Sequence, residues 1–256
     1  MNKKMKQIAL AIALGSSALF ATGAHAAGVN ISKLRINLTE SKPSDFFTLT
    51  NSEDQKSSFE TTVYKWKQKD GFIKDGQIVA PETILEETEN ILISPQTVVL
   101  MPKSDRVIRL IAEDTEAAAE DAAYRLRLQQ LNTKEGFSTG TNVNILFNIS
   151  LPIFFNTDDE KKAKDMKLDT SFGQYEKKIT DENGKVTKTE KTNYIKIKNA
   201  DNQHIQVLGI VDGEKTYDLS GYILPNITSY FDIPVEASNL KTMTISTDRG
   251  NYVVNK

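Results

Sequence analysis

The chain has 256 residues, 32 of them basic and 34 acidic, for a formal net charge of −2, with 2 histidines and no cysteine. That balance excludes an electrostatic hold on nucleic acid or on an anionic membrane as the main activity. Without cysteine there is no disulfide framework, so stability must come from a packed core.

Residues 1–26 read as a targeting segment. Lys3, Lys4 and Lys6 form a positive head, IALAIALGSSALFA an apolar middle, and Ala24-His25-Ala26 a small-residue cleavage signature. The apolar run is shorter than the ~20 residues a membrane span needs. Losing the three head lysines leaves 29 basic against 34 acidic residues, a net charge near −5. The expectation is an exported, soluble mature chain.

Beyond the leader, period-2 segments alternate with turn signals. VNISKLRINL (29–38) predicts a first strand with Leu34, Ile36 and Leu38 on one face and Lys33, Arg35 and Asn37 on the other. FFTLTNS and SSFETTVYKWKQ predict the next strands, and Asp70-Gly71 and Asp75-Gly76 punctuate a hairpin-rich stretch. Short extended pieces follow, separated by Pro81 and Pro95, and then the strand RVIRLIAE. EDTEAAAEDAA (113–123) predicts a helical turn leading into YRLRLQQL (124–131). There Tyr124, Leu126 and Leu128 share one face, with Arg125 and Arg127 on the other.

NVNILFNISLPIFF (142–155) places Val143, Ile145, Phe147, Ile149 and Leu151 at every second position. Such a strand runs roughly 45 Å at about 3.4 Å per residue, whereas strands average about 5–6 residues. A strand that outruns its own domain exposes an apolar row and a line of unpaired backbone groups. Proteins usually blunt such edges, so leaving one open fits recruitment of another chain.

NTDDEKKAKDMK (156–167) shows dense mixed charge and no apolar face, as a linker would. A second strand set follows: a hairpin around Asn183-Gly184, then NYIKIKNA, HIQVLGIV, KTYDLSGYIL, SYFDIPV, KTMTISTD and NYVVNK. Seven or so short strands per half predict an all-β chain of two β-sandwich domains in tandem, over 27–156 and 157–256.

Catalytic chemistry is poorly supplied. His25 leaves with the leader, and His204 in QHIQV reads as a surface strand residue. The common zinc, copper and nucleophile–histidine arrangements therefore cannot be assembled. Glu86, Glu87 and Glu89, and the acids from Glu113 to Asp121, read as solvated faces rather than a glycosidase pair. The stretch from Asp181 to Gly184 reads as a hairpin turn, not a calcium loop. The expectation is no enzyme, no metal and no cofactor.

Arg35 on the polar face of the first strand is a candidate carboxylate anchor, since a guanidinium pairs with a carboxylate in bidentate fashion. With this arginine placed so soon after the leader, the chain resembles a periplasmic pilus-assembly chaperone of the chaperone–usher pathway. SPQTVVLMPKSDRVIRL adds the family's spacing through Leu100, Pro102, Ile108, Arg109 and Leu110, and YRLRLQQL with NVNILFNISLPIFF forms the closing strand pair. The resemblance covers the first domain through these motifs and the second only through its position and strand content.

The resemblance implies two immunoglobulin-like domains in a boomerang with a cleft between them, in the periplasm. Such a chaperone completes pilus or fimbrial subunits that lack their final strand, and passes them to an outer-membrane usher by strand exchange. By position, Val143, Ile145, Phe147 and Ile149 would enter the subunit's groove, and Arg35 would hold its C-terminal carboxylate. The family's second anchor, a lysine, is Pro152 here, with neither charge nor backbone donor. Arg127 is the residue expected to take over, with Arg125 and Arg109 as rivals; the departure fits an archaic or alternative branch. An open apolar edge also makes self-association of the free protein an expectation. The competing reading is an exported structural or adhesive module of a surface fibre, disfavoured because the fold begins right after the leader.

Overall fold

A computed structural model describes residues 28–113, 115, 123–132, 146–155, 161–212, 215–233 and 242–255. The targeting segment, nearly all of the expected helical turn at 113–123, and Val143 and Ile145 lie outside the described residues.

The first half contains β1 (Val29–Ile31), β2 (Ile36–Leu38), β3 (Ser44–Asn51), β4 (Ser57–Lys69), β5 (Phe72–Lys74) and β6 (Gln77–Val79). It continues with β7 (Glu82–Glu87), β8 (Ile91–Ser94), β9 (Thr97–Leu100), β10 (Asp105–Ala112), β11 (Ala123–Gln130) and β12 (Asn148–Phe155). One sheet has the order β1-β3-β10-β8; the facing sheet has the order β2-β12-β11-β4-β7, with β9 also on β4. Strand alternation dictates what lies between them: Phe47 and Leu49 from β3, Ile108 and Leu110 from β10, and Tyr124, Leu126 and Leu128 from β11 are buried in one core.

The expected single strand over 29–38 is broken. β1 pairs antiparallel with β3 in one sheet, and β2 pairs parallel with β12 in the other. Ile31 and Ile36 both pack on the core, yet they are an odd number of residues apart. An unbroken period-2 strand cannot turn both inward. The crossing between sheets absorbs the mismatch, leaves Leu34 76% exposed rather than on the core face, and puts Arg35 at the corner just before β2.

The second half comprises β13 (Leu168–Thr180), β14 (Val186–Asn199), β15 (Ile205–Asp212), β16 (Lys215–Ile223), β17 (Thr228–Ile233), β18 (Thr242–Thr247) and β19 (Gly250–Asn255). The sheets β13-β14-β17 and β16-β15-β18-β19 enclose Ile195, Ile197, Ile205, Ile210, Met243 and Ile245. The chain is thus two immunoglobulin-like sandwiches in tandem. The turn at Asp181–Gly184 is the expected hairpin: Asp181 Oδ1 accepts from the Asn183 and Lys185 N–H groups, and Gly184 takes φ +76°. The segment before β13 departs from a plain linker, because Ala163 and Met166 are buried in the second core around one 3-10 turn.

The sandwiches are joined through β4, whose far end runs past the first core. The side-chain amide of Gln68 donates to the Tyr222 carbonyl (3.0 Å) and accepts from the Leu224 N–H (2.9 Å). Asp70 Oδ1 accepts from the Thr228 N–H (2.7 Å), and the Gly71 N–H donates to the Thr228 carbonyl (2.8 Å). The β5–β6 hairpin turns through Asp75 and Gly76 at φ +52° and +78°, the mirror-type turn that suits a two-residue hairpin. Its Gly76 carbonyl accepts from the Lys178 N–H of β13 at 3.0 Å.

Candidate functional site: an open strand edge ending at an inter-domain cleft

β12 is where the opening between the sandwiches meets a free edge. On one side it pairs with β11 from Asn148 to Phe154, and the Gln130 N–H donates to the Phe147 carbonyl (2.8 Å) just beyond. On its other side β2 covers only Ile153, Phe154 and Phe155. From Asn148 to Pro152 the outer edge therefore has no strand partner among the described residues.

The apolar row changes role along this strand. Leu151, Ile153 and Phe155 are buried in the first core, Ile149 is partly buried against it, and Phe147 is only half-buried. The row thus leaves its own core at the point where Phe147, Ile145 and Val143 continue it in sequence.

Phe154, on the opposite face of β12 from this row, meets the second sandwich. Phe154, Trp66, Ala123 and Leu224 form a small buried cluster, with Tyr222 packed against it. The Phe154 ring stacks on His204 with centroids 3.4 Å apart and planes 5° from parallel. His204 is 1% exposed, so the expectation of a surface strand residue is corrected: one ring face is spent on the inter-domain contact. Trp66 meets Tyr222 edge-on at 5.7 Å, a favourable quadrupole arrangement.

Two arginines border this cluster. Arg125 lies opposite Pro152 and Tyr64 in the sheet, its guanidinium carbon 3.7 Å from the Trp66 ring centroid and 5.7 Å from that of Tyr222. Burial pushes its pKa down, partly offset by Tyr222. A guanidinium keeps its proton regardless, and among the described residues it rests on the ring faces of Trp66 and Tyr222. Arg35, a third exposed at its side chain, pairs through Nη1 with Oδ2 of the nearly buried Asp248 at 2.5 Å. The other Asp248 oxygen accepts from the Gln206 N–H (2.9 Å), and His204 Nε2 lies 3.8 Å from Oδ2.

Tyr222 connects the two. Burial raises its pKa, Asp248 adds to the rise, and the nearby charges of Arg35 and Arg125 oppose it. Arg35, Arg125 and Tyr222 therefore converge at the Pro152 end of the open edge. Arg127 donates instead to Asn148 Oδ1 (3.3 Å) farther along the strand pair, and Arg109 stands exposed on the other sheet, opposite Phe46. Among the described residues no cluster of three or more metal-type side chains occurs. Sequence reasoning missed Tyr222, Asp248 and Trp66. Only Trp66 carried a signal, as the one tryptophan, flanked by lysines in a strand.

Residues 28–159 match the family model for pili and flagellar-assembly chaperones, PapD N-terminal domain. No protein of curated function matches the sequence. Among solved structures, the chain is similar to the chaperone CsuC in its complex with the tip adhesion subunit CsuE from archaic Csu pili of Acinetobacter baumannii. That match has a TM-score of 0.56 and 15% identity, covering 88% of this chain and 96% of that one. It is also similar to the Salmonella enterica SafB chaperone in complex with the SafA pilin, with a TM-score of 0.54 and 11% identity over 89% and 96% of the chains. A third is the Escherichia coli chaperone DraB, with a TM-score of 0.51 and 13% identity over 89% and 96%.

Proposed function

The chain belongs to the family of pilus-assembly chaperones, and from that premise we propose that it works in the periplasm, completing unfinished pilus subunits with its own β12 edge and passing them to an outer-membrane usher. The observation that supports this best is the edge itself, open from Asn148 to Pro152 and ending beside Arg35. A subunit strand added there lies in line with β2, whose first residue, Ile36, stands opposite Ile153. For its terminal carboxylate to meet Arg35 it must run parallel to β12, from Phe147 toward Pro152. Two complexes of similar fold, one with a tip adhesion subunit and one with a pilin, agree with a subunit as the partner.

Val143, Ile145, Phe147 and Ile149 are the proposed donor row. Burying four large apolar side chains contributes on the order of 6–12 kcal/mol before ordering costs, and backbone pairing sets the register. At the cleft, Arg35 and Arg125 form the proposed anchor. Arg125 takes precedence over Arg127 because it is the arginine beside Tyr222, and through it Arg35. In this reading residues 27–156 form the subunit-binding domain and 157–256 the second wall of the cleft.

The test is copurification of partners with the tagged mature protein from its native periplasm. Phe147→Asp and Arg35→Ala should each stay folded and lose small β-rich exported chains that wild type retains. Retention of the same partners by both variants refutes the strand-donation reading and favours an adhesive module.

A further inference from the structure

We propose that Tyr222 is a third donor to the subunit's terminal carboxylate, so that the second sandwich forms part of the anchor rather than a passive wall. This rests on the carboxylate-anchor reading above.

The position of the Tyr222 ring is strongly determined. It sits at the end of β16, opposite Gln206 in the sheet, and the Gln68 amide holds the backbone on both sides of it, at the Tyr222 carbonyl and the Leu224 N–H. Trp66 and Phe154 each pack against its ring at 5.7 Å between centroids. The same strand β4 therefore carries Trp66, which supports Arg125, and Gln68, which positions Tyr222. The residue is half-buried, so part of it remains accessible to a ligand.

The chemistry at its tip suits a carboxylate. The Arg125 guanidinium carbon lies 5.7 Å from the Tyr222 ring centroid, and Arg35 is linked through Asp248 to Gln206, which stands opposite Tyr222. A guanidinium has only donors, so neither arginine can take the phenol O–H proton, which is left for a separate acceptor. Burial and Asp248 keep the phenol protonated, so it stays a donor. A carboxylate offers about four lone-pair sites; two guanidiniums and one phenol O–H converging from both sandwiches can fill most of them. A carboxamide at the same place has one oxygen instead of two and turns an N–H toward donors.

The experiment uses a short soluble peptide of alternating threonine and valine headed by lysines, made as the free acid and as the C-terminal amide. Trp66 is the only tryptophan and lies under Arg125, so its emission reports binding at the cleft. Wild type should prefer the acid. Tyr222→Phe keeps the ring and its packing, and should lower that preference about tenfold, with an unchanged urea unfolding midpoint as its folding control. Undiminished acid preference in Tyr222→Phe, together with its loss in Arg35→Ala, overturns the role of Tyr222 and leaves the anchor standing. No acid preference in wild type, binding of neither form included, or preference that survives Arg35→Ala, overturns the anchor reading itself.

Discussion

Replacing Asp248 by asparagine should make the protein less stable and its cleft more receptive at once. Asparagine keeps an oxygen for the Gln206 N–H but removes the charge facing Arg35. Exposed ion pairs contribute about 0–1 kcal/mol, whereas breaking a buried one costs about 3–5 kcal/mol. With Asp248 9% exposed and Arg35 31% exposed at their side chains, the pair lies between these limits. A cost of about 1–2 kcal/mol follows. An incoming carboxylate has to displace Asp248 from Arg35, so the free protein is a locked state and apparent affinity is reduced by the unlocked fraction. Releasing a lock of about 1.4 kcal/mol raises affinity about tenfold. Urea unfolding gives the first quantity, and Trp66 emission titrated with the acid peptide gives the second. Acid affinity that is unchanged or weaker in Asp248→Asn would refute the competition between Asp248 and the ligand.

Other consequences can be measured directly. Phe154→Ala removes a fully buried ring that stacks on His204 and packs on Trp66, and should cost about 3–5 kcal/mol in denaturant unfolding. Gln68→Ala removes both inter-domain hydrogen bonds of its amide; a loss of about 1–3 kcal/mol and faster proteolysis between the sandwiches are expected. At Asp45 and Asp201, burial works to raise the pKa, but hydrogen bonds and charge from Lys33 and Lys161, respectively, outweigh it and hold both below the ordinary 3.8. A carboxylate depressed in the folded state stabilises fully above its unfolded pKa and loses that contribution as pH falls through its folded value. Stability should therefore hold from neutrality to about pH 5 and decline below about pH 4, and Asp201→Asn should flatten that decline.

How legible the molecule was depends on the range of the contact. Strand alternation and the Asp75-Gly76 and Asn183-Gly184 turns are local, and the structure follows them in β3, β10, β11 and both hairpins. The first strand misled at Leu34 because its break is set by which sheet each half joins, although the odd interval between Ile31 and Ile36 already signalled it. The linker misled because two apolar residues, Ala163 and Met166, sufficed to bury a charged segment's turn. The cleft was least legible. Trp66, Phe154, His204 and Tyr222 come from four strands or strand ends far apart in the chain, and no periodicity relates them. Asp248 reads only as the end of the strand KTMTISTD; its role depends on the corner at Arg35 across the domain boundary.

The most direct test of strand donation is photo-crosslinking in the periplasm, with benzoylphenylalanine at position 147 and, as control, at position 46. Phe46 is 54% exposed on the outer face of the opposite sheet, so it samples solvent without the β12 edge. The account predicts adducts at position 147 with small exported β-rich chains, absent at position 46 and lost when Arg35→Ala is added. No adduct at position 147, or the same adducts at both positions, would contradict it.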